Sequence, residues 1–160
     1  MKKELNINYQ LLQFDELSAE DRELVSEAQQ MTSASYAPYS HFHVGAALRL
    51  ANGIVVRGCN QENAVYPDGL CAERVAIFSS QAQYPATPIT AIAIAARDTK
   101  GEYVTDPVSP CGSCRQVMLE YELRDKHPLR VLLVGQNGII IFSSAKDLLP
   151  LAFTAECFLK

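Results

Sequence analysis

Two short stretches decide how this chain is read: Cys71-Ala72-Glu73-Arg74 and, some forty residues later, Pro110-Cys111-Gly112-Ser113-Cys114-Arg115-Gln116. Each falls where a helix is expected to begin. Val75, Ala76, Ile77 and Phe78 continue the first as an apolar run, so the spacing predicts a helix from about Leu70 to Ala82. Pro110 marks the start of the second, because proline is tolerated at a helix entrance and not within. Three thiols thus lie at two helix N-termini. There the helix dipole lowers thiol pKa and favours the thiolate.

Outward from these helices the pattern alternates between strand and helix. Phe42, Val44, Ala46 and Leu48 alternate with His43, Gly45, Ala47 and Arg49, and Asn52-Gly53 is a hairpin turn that returns through Ile54–Val56. Ile89–Arg97 reads as a fully buried strand. Val131–Gly135 and Ile139–Phe142 flank a second Asn-Gly turn, with a short helix expected near Ala145–Leu149. Ser18-Ala19-Glu20-Asp21 starts an earlier helix, with a hydroxyl cap and acids in the first turn, carried on by Leu24, Val25, Ala28 and Met31. Residues 1–17 read as an N-terminal arm and 18–160 as a single domain. Strands separated by helices imply a layered α/β domain.

The composition narrows the function. The 160 residues suit one compact domain, and nearly half are apolar. A net charge of −4 argues against a broad phosphate-tracking surface, and hence against a nucleic-acid partner. No stretch approaches the length of a membrane span, and no continuous apolar segment follows Lys2-Lys3 to make a secretion signal. The expected compartment is the cytoplasm. There five cysteines point to metal or chemistry before disulfides.

Taken alone, Cys111-Gly112-Ser113-Cys114 reads equally as a redox dithiol or as half a metal site. Cys71 with its neighbour Glu73 tips the balance to zinc. Zinc takes thiolates tetrahedrally, and three protein ligands leave a fourth position for water, the pattern of a catalytic site. Three thiolates and Zn²⁺ sum to −1, so a cation or donor near the sulfurs should restore Lewis acidity; Arg74 and Arg115 are both placed for this. Glu73 supplies a carboxylate able to move protons beside a metal-activated water. An ideal helix would put Cys71 and Glu73 on different faces, so Cys71 is expected at the cap. Cys59 and Cys157 are expected to be buried small hydrophobes. His41, His43 and His127 are weak ligand candidates.

Cys-x-Glu followed by Pro-Cys-x-x-Cys is the pattern of zinc nucleobase deaminases. With Phe42–Leu48 and Gly58-Cys59-Asn60-Gln61-Glu62-Asn63-Ala64, the chain closely resembles the small cytidine deaminases over roughly residues 20–155. The resemblance implies a three-layer α/β/α sandwich with a mixed five-stranded sheet. It implies one zinc per subunit on Cys71, Cys111 and Cys114, with Glu73 as proton shuttle. Asn60 and Glu62 would hold the ribose 3′-hydroxyl, and Phe42 would pack on the base. The Ala72 N–H and Ser109 carbonyl would read the base edge. Tyr66 and Phe153 would reach a neighbouring subunit's pocket in a homotetramer. The implied reaction is hydrolysis of free cytidine and deoxycytidine to uridine and deoxyuridine, as in pyrimidine salvage. The 17-residue arm is longer than the minimal family form. Three rival readings are a deaminase of polynucleotides, one of a nucleoside-like antibiotic, and a structural zinc module with a fourth protein ligand.

Overall fold

The computed structural model describes residues 1–158. Nine regular elements follow the chain: β1 (Gln10–Leu12), α1 (Ala19–Met31), β2 (His43–Leu50), β3 (Val55–Cys59), α2 (Ala72–Gln83), β4 (Ile89–Arg97), α3 (Gly112–Asp125), β5 (Arg130–Gly135) and β6 (Gly138–Phe142). The strands form one mixed sheet in the order β1-β6-β5-β4-β2-β3. Only β4 and β5 run parallel, joined by the crossover through α3; every other pair is antiparallel. Among the described residues no helix is long and apolar enough to cross a membrane.

The buried run of β4 serves two cores at once. Ala91, Ala93 and Ala95 face α1, joining Leu24, Val25, Ala28 and Leu132. Ile92 and Ile94 face α2 and α3, joining Leu48, Ile77, Met118 and Leu133. The period-two alternation of side chains along a strand makes this division. Helices on both faces give the three-layer sandwich that the sequence suggested.

The strand count is six, not five. The additional strand is β1, from the segment read as an arm, and it pairs Gln10, Leu11 and Leu12 with Ile141, Ile140 and Ile139. Leu17 is buried in the α1-side core, so the last part of the arm belongs to the folded body.

All the elements that build the site end on one side of the sheet. His43 at the start of β2 is in register with Arg97 at the end of β4, and Gly45 with Cys59 at the end of β3. Two glycines set how closely the helices approach. A Cβ at Gly45 would lie 2.1 Å from the Ala28 carbonyl oxygen of α1. A Cβ at Gly58 would lie 2.6 Å from both the Ala72 oxygen and the Ala76 nitrogen, so β3 admits the first turn of α2 only because residue 58 has no side chain.

Gly58→Ala therefore forces α2 outward. Overpacking of this kind costs about 1–3 kcal/mol, which for a chain of this size lowers Tm by about 5 °C. Since the shift falls at Ala72, zinc content should fall with it; thermal melts and metal analysis read both effects.

Candidate metal centre and catalytic cleft

Both helices that meet at the site begin with a cysteine. Cys71 is the N-cap of α2 with extended backbone (φ −71°, ψ 153°), and Cys111 is the N-cap of α3 (φ −65°, ψ 164°). Neither makes a side-chain capping hydrogen bond, whereas Ser18 caps α1 by accepting from the Asp21 N–H. Replacing a good cap costs about 1 kcal/mol. Three positions further, the third residue of each helix returns to the same side: Arg74 in α2 and Cys114 in α3. The extended cap conformation at Cys71 is what allows its thiol and the Glu73 carboxyl to share one locale.

The three sulfurs of Cys71, Cys111 and Cys114 lie within 4.8 Å of one another. Cys71 Sγ and Cys111 Sγ are 3.8 Å apart. A disulfide would need about 2.05 Å, and all three cysteines are free. Tetrahedral sulfurs at about 2.3 Å from zinc stand about 3.8 Å apart, so the donor set fits zinc in kind and in spacing. Among the described residues no fourth His, Cys, Asp or Glu joins the group. That count speaks against a closed structural module.

The electrostatics centre on Cys71. Its hydrogen bond with Cys114, aided by Arg74, lowers its pKa to about 5. The same hydrogen bond, with burial and the neighbouring Glu73 charge, holds the proton on Cys114 and raises its pKa. The sulfurs cannot all ionise without a cation between them, because three like charges at this spacing repel. Arg74 Nη2 donates to Cys71 Sγ at 3.6 Å, and its Nε is buried without a protein partner. Arg115 points elsewhere, donating to the Pro110 and Leu148 carbonyls at 2.8 and 3.0 Å. Of the two arginines considered, Arg74 is the one on sulfur. Glu73 is 4 % exposed; burial raises its pKa, and the Cys114 thiol beside it partly offsets the rise.

A cleft of about 540 Å³ opens beside Cys71. Of the residues predicted for the substrate, Asn60, Glu62 and Tyr66 line it, together with Cys71 and Arg74. Phe42, Ala72, Ser109 and Phe153 do not line it in this single chain. Phe42 is half-buried and Ala72 fully buried, while Ser109 and Phe153 are exposed. Phe153 stacks on Phe158 at 5.7 Å, and its carbonyl accepts from Gln116 Nε2.

The polar pair in the cleft is already engaged. Asn60 Oδ1 accepts from the Val44 N–H at 2.8 Å, and its Nδ2 donates to the Phe42 carbonyl at 2.9 Å. Glu62 accepts from the Tyr39 N–H at 2.8 Å, the Ser40 N–H at 3.2 Å and the Ser40 hydroxyl. The Ser40 bond, with the two backbone bonds, lowers the Glu62 pKa and keeps it a carboxylate. Tyr39 and Ser40 are cleft walls that the sequence reading missed. Tyr39 meets Tyr66 edge-on at 5.7 Å. Cys59 is buried as expected, but Cys157 is exposed, since the short turn that carries it lies on the surface.

Residues 18–127 match the family model described as the cytidine and deoxycytidylate deaminase zinc-binding region. The chain belongs to the cytidine deaminase family. A cytidine deaminase of Halalkalibacterium halodurans is 45 % identical over 133 residues, covering 83 % of this chain and 93 % of that protein. The crystal structure of a cytidine deaminase from Burkholderia pseudomallei superposes with a TM-score of 0.71 at 42 % identity, covering 82 % of this chain and 97 % of that one. A blasticidin-S deaminase of Bacillus cereus is a more distant relative, 31 % identical over 140 residues, covering 86 % of this chain and 95 % of that protein. Cytidine deaminase family membership, with the three-sulfur group, makes the protein a zinc-binding hydrolytic deaminase.

Arg74→Gln should weaken zinc binding by about 10- to 100-fold, the usual effect of losing an outer partner of a ligand. Competition with a chromogenic chelator measures this. Arg115→Gln, which loses only its brace between two carbonyls, should lower Tm and leave zinc affinity near that of the parent.

Proposed function

We propose that the chain deaminates free cytidine and deoxycytidine to uridine and deoxyuridine, releasing ammonia. The observation that carries this is the buried Glu73 beside three zinc-spaced sulfurs, at the end of a cleft walled by Asn60 and Glu62. Cys71, Cys111 and Cys114 would hold one zinc. Bound there, zinc supplies Lewis acidity toward water at neutral pH.

The chain's own groups then do the following. Glu73 takes a proton from the attacking water through its carboxylate and delivers it to ring N3. It then takes the remaining proton from the hydroxyl added at C4 and passes it to the exocyclic amine, so that the C4–N bond breaks, ammonia leaves and the C4 carbonyl forms. A pKa raised by burial brings the carboxyl nearer to neutrality, where accepting and returning a proton are both efficient. Asn60 and Glu62 would orient the sugar through the 3′-hydroxyl. The Ala72 N–H and Ser109 carbonyl would read the cytosine edge, and Phe42 would pack on the ring. Tyr66 and Phe153 are exposed aromatics suited to a neighbouring subunit's pocket, which supports a homotetramer. Five free cysteines suit the reducing cytoplasm and a role in pyrimidine salvage.

The charge of the cleft favours a nucleoside over a nucleotide. Its lining carries the Glu62 carboxylate and one cation, Arg74, which is committed to sulfur. A 5′-phosphate would meet a carboxylate and no free cation among the lining residues. Cytidine should therefore exceed its 5′-monophosphate, a cytosine-bearing oligonucleotide and blasticidin S in kcat/KM by at least about tenfold. A preference for any of the three in a spectrophotometric assay sinks the nucleoside reading.

Glu73→Gln keeps the shape and removes the proton carrier. Zinc content should stay at one per subunit while kcat falls at least about 100-fold. Near-normal turnover in the zinc-loaded variant would remove Glu73 from the mechanism.

A further inference from the structure

The segment that carries Asn60 and Glu62 is stitched to the chain on two sides. On one side Tyr36 brackets it. The Tyr36 N–H donates to the Asn60 carbonyl at 3.0 Å, and the Glu62 N–H donates to the Tyr36 carbonyl at 2.8 Å. On the other side lies the start of β2. There the Asn60 N–H donates to the Val44 carbonyl at 3.1 Å, and the Asn60 side chain bonds the Val44 N–H and the Phe42 carbonyl. The wall is therefore only as firm as the spacing between Tyr36 and residues 42–44. Among the described residues, one side-chain hydrogen bond crosses directly between the flanks 35–36 and 42–44. It joins Ser35 Oγ and His43 Nδ1 at 2.6 Å.

Strand alternation puts His43 in position for this bond. Val44, Ala46 and Leu48 of β2 pack towards α2 and α3, whereas Ala47 packs towards α1 and Arg49 bonds Glu23 of α1. His43 falls in the second set and so meets the turn that follows α1. The bond has one direction. Ser35 Oγ also lies 3.0 Å from the Thr32 carbonyl, which can only accept. A hydroxyl has one proton, so that proton goes to Thr32 and His43 donates through Nδ1–H. Thr32 is buried and is the C-cap of α1. The start of β2 is thus anchored to the end of a packed helix.

We propose that His43 is a positioning residue for the reaction, setting the spacing across the Asn60–Glu62 wall from the face of β2 opposite the cleft. This rests on the reading of Asn60 and Glu62 as the pair that holds the 3′-hydroxyl. His43 is not among the residues that line the cleft; it acts through Ser35 and Tyr36. Its loss falls on sugar binding and spares the chemistry, because Glu73 and the zinc cysteines are carried by α2 and α3.

The test compares zinc-loaded His43→Leu, His43→Asn and Ser35→Ala with the parent chain. Leucine fills the place without a donor, whereas asparagine sets an amide N–H near where Nδ1–H stands. His43→Leu and Ser35→Ala should each raise KM for cytidine about fivefold, the worth of one hydrogen bond. The kcat should stay at the parent value, the signature of lost uniform binding. Neither variant should change kcat/KM for 3′-deoxycytidine, which brings no hydroxyl for the wall to hold. A general loosening of the fold would penalise both nucleosides alike. His43→Asn should restore the parent KM. Amide hydrogen exchange, read without substrate, should quicken at Tyr36 and Glu62 in His43→Leu and not in His43→Asn. An unchanged cytidine KM, an equal loss on both nucleosides, unchanged exchange or no rescue by asparagine overturns the proposal. The sugar-holding reading fails elsewhere, in the parent chain itself, which would then turn over the two nucleosides equally.

Discussion

The site exists because two helix N-termini are brought to within the span of one metal ion. Everything else in the fold serves that meeting. The β4–α3–β5 crossover carries Cys111 to the end of the sheet where β4 stops. The β2–β3 hairpin returns the chain to the same end, and the absent side chain at Gly58 lets α2 settle onto β3 with Cys71 at its tip. Each helix gives up a capping hydrogen bond where a serine or aspartate would have supplied one. What it gains is a thiol at the positive end of its dipole, where the thiolate is favoured. A cap residue that stabilises only its own helix has become a ligand that ties two helices together.

The charge balance follows from the same geometry. Cys-x-x-Cys in α3 and Cys-x-x-Arg in α2 are parallel constructions, an N-cap residue and the third residue of the helix. One delivers two sulfurs and the other a sulfur and a guanidinium. Three thiolates, a divalent cation and Arg74 sum to zero, so the site carries no net charge before Glu73 is counted. Burying unbalanced charge is costly, and Glu73 is the group left to respond, with its pKa raised by burial.

Much of this was legible in the sequence, and the exceptions share a cause. The zinc cysteines, the cap position of Cys71 and five of the strands announce themselves locally, through helix starts, Asn-Gly turns and period-two alternation. β1 did not, because three residues among asparagines and glutamines carry too little pattern, and only β6 makes them a strand. Arg74 and Arg115 could not be told apart, since each follows its motif by one residue; their partners, Cys71 and the Leu148 carbonyl, differ only in the folded chain. The Tyr39–Ser40 wall was likewise hidden, because its link to Glu62 spans more than twenty residues. Buried Glu122 went unread for the same reason. It accepts from the Leu129 and Ala145 N–H groups and the Ser144 hydroxyl, locking the end of α3 to β5.

Those long-range bonds give the cleft a property that local pattern does not reveal. Asn60 and Glu62 hold the loops that form the wall while facing the space that a nucleoside would fill. Asn60 retains one amide hydrogen and one oxygen lone pair after bonding Phe42 and Val44, and Glu62 retains lone pairs after bonding Tyr39 and Ser40. Their rotamers are therefore set before any ligand arrives. Ordering a free side chain on binding costs about 0.5–1.5 kcal/mol, and that cost has been met in folding. A sugar hydroxyl entering such a wall would find polar groups already aimed. A ligand lacking the hydroxyl would forgo a bond to the donor and lone pairs that the clasp leaves free. In the proposed function, selection for a sugar 3′-hydroxyl would then rest on the backbone clasp of residues 39–44 as much as on Asn60 and Glu62 themselves.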